Sequence, residues 1–93
     1  MTNSRAPKLS EPVVVARFWA NRRGEAIYVQ LRDYEGRTLI DLRKHYTDAA
    51  GKLQPTRKGI SIVVARLPDL AAAVNKALAK AVELGRVDAE PVP

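Results

Sequence analysis

Tyr28, Arg32 and Tyr34 recur at even positions of one stretch, and Arg37 and Arg43 share a parity in the next. Tyr46, Arg57 and Lys58 flank the segment that follows. Cations interleaved with flat side chains are what an unpaired nucleic acid strand needs. The cations track phosphates, and each base stacked on a ring contributes about 1–3 kcal/mol. Tyr28 and Trp19 fit ordinary packing at least as well as stacking. Tyr34, beside a glycine turn where a core is hard to form, is expected to be exposed. No catalytic arrangement competes. Asp33, Asp41 and Asp48 read as strand ends and turn caps, and His45 reads as a partly exposed strand-end residue with no Ser or Cys nucleophile pattern beside it. Gly24, Gly36, Gly51, Gly59 and Gly85 stand singly and make no phosphate-binding loop. Zero cysteines and a single histidine exclude thiolate and His-pair metal sites. The expectation is a binding protein, not an enzyme, with no cofactor and no metal.

Charge concentrates in the same region. The 93 residues carry 16 Lys and Arg against 10 Asp and Glu, a formal net charge of +6. Eleven of those bases but only five acids fall between Pro12 and Arg66, whereas three bases face four acids from Leu67 onward. A polyanion is the natural partner of such a field. No apolar run approaches the roughly 20 residues of a membrane span, and Met1 to Leu9 lacks the apolar segment of a signal peptide. A cytoplasmic protein without membrane association is expected.

The elements that must position these residues follow from periodicity. Residues 1–11 are polar and read as a flexible arm. Pro12 to Ala20 is strand-like, Asn21-Arg22-Arg23-Gly24 a turn, and Glu25 to Asp33 a half-buried strand with Ile27, Val29 and Leu31 on its inner face. Tyr34-Glu35-Gly36 makes a tight connection into a third strand, Arg37 to Tyr46. Thr47 to Thr56 reads as a longer loop, and Arg57 to Ala65 as the fourth strand. Leu67, Leu70, Val74, Leu78 and Ala81 recur at helical spacing after Pro68, and Gly85 is suited to stop the helix. Residues 12–85 thus form one domain of α+β class, an antiparallel four-stranded sheet with one C-terminal helix against it, and residues 86–93 a tail. Five aromatics and an Ala-rich helix make a thin core for a lone chain, so self-association is expected.

Taken in order, Arg32-Asp33-Tyr34-Glu35-Gly36, Arg37, Leu39-Ile40-Asp41-Leu42-Arg43, Tyr46, Asp48, Gly51 and Pro55-Thr56-Arg57-Lys58-Gly59-Ile60-Ser61 match a known pattern. The sequence resembles the family of transcriptional positive cofactor four, a single-stranded-DNA-binding coactivator domain, as a short bacterial-type member. The motifs cover about residues 25–65, and the combination of the tight turn with Lys-Gly-Ile-Ser is specific. The resemblance implies a curved four-stranded sheet plus helix that dimerises and binds unpaired DNA in grooves on the sheet. It implies Arg32, Tyr34, Arg37, Arg43, Tyr46 and Lys58 as contacts, with Arg57 a weaker one. Tyr34 stands where the family often has Phe, and Tyr46 where it often has Trp. Glu35 and Gln54 stand where a Lys is common. The serine-rich acidic arm of the eukaryotic relatives has no counterpart, so coactivation through it is not implied.

Three readings remain open on the sequence. One is a homodimer binding single-stranded DNA in transcription, replication or repair. Another is an RNA-binding module, since stacking and phosphate neutralisation do not distinguish the sugars. The third is a scaffold that offers its basic face to an acidic partner in the transcription machinery.

Overall fold

Alternating apolar and polar residues give four strands, β1 (Val13–Trp19), β2 (Ala26–Tyr34), β3 (Arg37–Thr47) and β4 (Leu53–Val63). The computed structural model describes residues 8–88. The strands form one antiparallel sheet in the order β1-β2-β3-β4. A 3-10 turn (Val64–Arg66) and a single helix, α1 (Leu67–Glu83), complete the expected α+β order. Of the N-terminal arm and C-terminal tail, residues 1–7 and 89–93 lie outside the described residues. The inner end of the arm is tethered, because the Leu9 backbone N–H donates to Asp33 Oδ2 at 2.8 Å.

The β2–β3 connection is a two-residue turn of Glu35 (φ 51°) and Gly36 (φ 81°), closed by the Tyr34–Arg37 pair. Positive φ at both positions is the geometry that suits the right-handed twist of a hairpin. Tyr34 therefore ends a strand and does not belong to the turn.

The fourth strand begins earlier than its sequence predicts. The loop expected over Thr47 to Thr56 closes within a few residues, since Asp48 accepts the backbone N–H groups of Ala50 and Lys52, both at 2.9 Å. Pro55 then lies inside β4 opposite His45. A proline is tolerated there because β4 is an edge strand and the pairing is irregular at that point. From the Arg43–Gly59 pair to the His45–Pro55 pair, β3 advances two residues and β4 four. The Thr56 hydroxyl bridges this bulge, donating to the Lys44 carbonyl at 2.7 Å and accepting the Lys58 N–H at 3.1 Å. Gly59 follows of necessity: a Cβ at this position would collide with the Leu42 carbonyl oxygen.

The helix departs from expectation in its packing. Its sequence predicts a stripe seated on the sheet, yet no residue of α1 is buried. Leu67, Leu70, Ala71 and Val74 face Phe18, Ile27, Val29, Ile40 and Leu42 of the sheet across an open groove of about 380 Å³. Beyond that point the stripe loses contact, and Leu78 is exposed like Val74. Alanines recur along the whole of α1, at Ala71, Ala72, Ala73, Ala77, Ala79 and Ala81, so little side chain reaches back to the strands. Ala26 and Ile40 are the buried apolar residues among those described. The helix end is well made: Gly85 (φ 73°) donates to the Val82 carbonyl and Arg86 to that of Ala81, satisfying two terminal carbonyls. No helix among the described residues is long and apolar enough to cross a membrane.

Candidate nucleic-acid interface

Side chains paired across strands share a face. The pairs Arg17–Tyr28–Arg43, Gln30–Asp41–Ser61 and Tyr34–Arg37 therefore run along one side of the sheet, opposite the helix. Alternation along β2 adds Arg32 to the same side, so Tyr28, Arg32, Tyr34, Arg37 and Arg43 stand together as their parity predicts. Tyr34 is 55% exposed and Arg37 is exposed beside it. The Arg32 guanidinium lies 5.6 Å from the Tyr34 ring centroid, a cation–π contact that steadies both groups. Ring and cation are thus presented together at the hairpin end.

The middle of this face is an interior polar network. Asp41, expected at a strand end, lies in mid-strand and is 1% exposed. It accepts Gln30 Nε2 at 2.9 Å, Arg43 Nη2 at 2.8 Å and the Ser61 hydroxyl. Burial alone would raise the Asp41 pKa, but the hydrogen bonds from Arg43, Ser61 and Gln30 outweigh it and hold the carboxyl well below the usual carboxylate range. Arg43 also donates Nη1 to the Thr56 carbonyl at 3.0 Å, tying the β4 bulge to β3. The Arg43 guanidinium is therefore committed to the fold. It supplies local positive potential and a fixed register, whereas Arg32 and Arg37 present the more accessible cations.

The remaining candidates fall elsewhere. Tyr46 pairs with Gln54 on the alternate parity and is exposed. Arg57 and Lys58 are exposed in and beside the bulge. Lys58 lines a shallow hollow with Lys44, Gly59, Ile27 and Leu42, toward the apolar side of the sheet. The seven candidates thus form one cluster around the β2–β3 turn and a second around the β4 bulge. His45 is buried, not partly exposed, and stacks on Tyr28 with ring centroids 3.7 Å apart. Tyr28 is further engaged by Arg17, whose Nη1 donates to its hydroxyl at 3.2 Å. Tyr28 is therefore a packing ring. The signal for that stack, an aromatic and a histidine on neighbouring strands, is invisible until the register between β2 and β3 is known.

The chain that carries this tight turn, Asp41–Arg43 pair and β4 bulge is similar to known proteins. The family model for Transcriptional Coactivator p15 (PC4) matches residues 21–73, from the β1–β2 turn into α1. The chain belongs to the PC4 family. Among solved structures, a PC4 homologue from Burkholderia pseudomallei is similar at 27% sequence identity and a TM-score of 0.66. That similarity covers 76% of this chain and 95% of the other. The bacteriophage T5 homologue of the eukaryotic transcription coactivator PC4, implicated in recombination-dependent DNA replication, shares the fold at 14% identity and a TM-score of 0.50. That match covers 83% of this chain and 81% of the phage protein. In this PC4-family chain the Arg-Asp-Tyr-Glu-Gly turn presents the exposed ring, and Lys-Gly-Ile-Ser lets β4 close against β3.

Proposed function

We propose that this protein is a homodimeric single-stranded-DNA-binding protein and not an enzyme, using the PC4 sheet to hold unpaired strands. The observation that carries the reading is the exposed Tyr34 ring on the same face as Arg32 and Arg37, at the tip of a rigid hairpin in a PC4-family chain. The ring offers a base a stacking surface, and the guanidinium groups offer its phosphates counter-charge. Tyr46, Arg57 and Lys58 extend the contact around the β4 bulge. Arg43 contributes from beneath. Transcription is the first process in which to seek the activity, and the cytoplasm the compartment.

Self-association rests on the other face. Among the described residues only Ala26 and Ile40 are buried and apolar, a thin core for a chain of this size, and Val74, 55% exposed, sits at the rim of the open groove. A second copy offering the same helix and sheet would fill it, with twofold symmetry the commonest solution.

The test is a fluorescence anisotropy titration with labelled oligo-dT at several salt concentrations, with duplex and RNA of matched sequence as competitors. Binding should weaken steeply with salt, with a log–log slope of about −0.7 per phosphate neutralised. Unlabelled single-stranded DNA should compete and perfect duplex should not. A flat salt response, or equal competition by duplex, would remove the reading. Stronger competition by RNA would move it to an RNA-binding module.

A further inference from the structure

We infer that the β1–β2 hairpin end carries a second stacking platform, Trp19 flanked by Arg17 and Arg22, which lengthens the path of a bound single strand. The inference rests on the single-strand reading above but uses residues outside that reading. Trp19 also precedes residues 21–73, the segment matched by the family model.

Trp19 ends β1 and pairs with Ala26 in the register that pairs Arg17 with Tyr28. It therefore stands on the same face as Tyr28, Arg32 and Tyr34, away from the helix. A tryptophan is the costliest side chain to leave in water, yet this one is 65% exposed. It separates two hollows. One, of about 220 Å³, is shared with Arg17, Ala26 and Leu53, and the other with Arg22 and Gly24. An indole between two guanidinium-lined hollows provides a base with a ring face and its flanking phosphates with charge. Arg22 makes no ion pair among the described residues.

The corner is held in place by its neighbours. Glu25 accepts Asn21 Nδ2 at 2.6 Å and pairs with Lys44 at 3.2 Å, while the Arg23 N–H donates to Asn21 Oδ1 at 2.8 Å. The Thr47 hydroxyl donates to the Gly24 carbonyl at 2.6 Å, joining the hairpin end to β3. A ring mounted on such a turn keeps its orientation before any strand arrives. From Ala26 to Tyr34 the strand rises about 26 Å at roughly 3.3 Å per residue. The two platforms therefore stand at opposite ends of one face, with the basic row between them. A single strand laid along this row meets a ring at each end. Charge selects the occupant, because the corner's one carboxylate, Glu25, is already paired with Lys44 and Arg23, which leaves Arg17 and Arg22 without a carboxylate partner among the described residues.

Trp19 is the one tryptophan of the chain, so its emission reports directly on this corner. The experiment titrates the full-length protein with a dT oligomer of roughly 16 nucleotides, the upper site size of comparable single-strand binders. It follows the anisotropy of the labelled DNA and the Trp19 emission together. Emission is expected to be quenched in step with the anisotropy rise, and to remain quenchable in Tyr34→Ala. Trp19→Ala should weaken binding by about fivefold to a hundredfold, and Trp19→Phe should restore most of it. Arg22→Glu, at an exposed position with no ion pair among the described residues, should weaken binding too. Full anisotropy change with unchanged Trp19 emission, and parental affinity in Arg22→Glu, would overturn this inference and leave the single-strand reading intact. No anisotropy change even at low salt would overturn both.

Discussion

On one face of the sheet Asp41 is enclosed by donors from β2, β3 and β4. On the other, Phe18, Val29 and Leu42 look across an unfilled groove at a half-seated helix. Both faces are made by alternate residues of the same strands, so the difference is one of partners and not of backbone. Polar groups find short, directional partners within a single chain, and among the described residues no buried side-chain nitrogen or oxygen lacks one. Apolar groups need area, which a narrow Ala-rich helix does not supply. The polar face is therefore complete in one chain and the apolar face is not, which is the gap the proposed second copy would fill.

This contrast can be broken at its strongest point first. Asp41→Ala leaves the partly buried Arg43 cation without its partner, an arrangement that typically costs about 3–5 kcal/mol. Urea unfolding should show a midpoint lowered accordingly, and a parental midpoint would mean that the network is not what holds β2, β3 and β4 in register. The opposite face is challenged by Val74→Glu, which places a charge at the groove rim without disturbing a buried residue. Light scattering should fall from twice 10.3 kDa toward 10.3 kDa while circular dichroism keeps its strand signal. A parental mass in that variant would move the dimer contact elsewhere.

Smaller effects sharpen the comparison on the binding side. Tyr34→Ala should lose about 1–3 kcal/mol of single-strand affinity at unchanged stability, because the ring is exposed and packs on no core. Tyr34→Phe should lose little, as the face and not the hydroxyl stacks. Equal losses in both variants would assign the effect to the hydroxyl.

The smallest effect is a pH dependence at the hairpin corner. Hydrogen bonds from Asn21 and Lys44 lower the Glu25 pKa from 4.5 to about 2. A depressed carboxylate pKa contributes stability above its unfolded value and loses it as pH falls through the folded one. The thermal unfolding midpoint should therefore fall as pH drops from 4.5 toward 2, and Glu25→Gln should make that slope shallower. An unchanged slope would show that Glu25 does not brace the turn.

Much of the site was legible because strand parity is a local property. Once Ile27, Val29 and Leu31 are read as inward, Tyr28, Arg32 and Tyr34 must share the other side. The glycine after Glu35 fixes a tight turn, and Tyr34 beside it follows as exposed. Parity alone sets Tyr46 on the side opposite Arg43, whereas Lys58 was harder, because the bulge in β4 breaks the alternation that would relate it to the row around Tyr34. Its cause lies in the pairing of Thr56 with a carbonyl on another strand. Pro55 pointed the wrong way, reading as loop when its edge position makes it harmless within a strand.

The sequence alone determined the order of elements, the hairpin turn, the basic character of the first two-thirds and the family pattern. These depend on residue types at short separations, where propensity, alternation and charge act without reference to distant chain. Tertiary structure alone decided that Asp41 is an interior ion-pair partner, that His45 is buried on Tyr28, and that Arg43 is bound to the bulge. It also decided that the helix leaves the apolar face open and that Trp19 is exposed. Each of these depends on which residues two strands bring opposite one another, and on whether enough side-chain volume arrives to exclude water. Neither quantity exists until the chain has closed on itself.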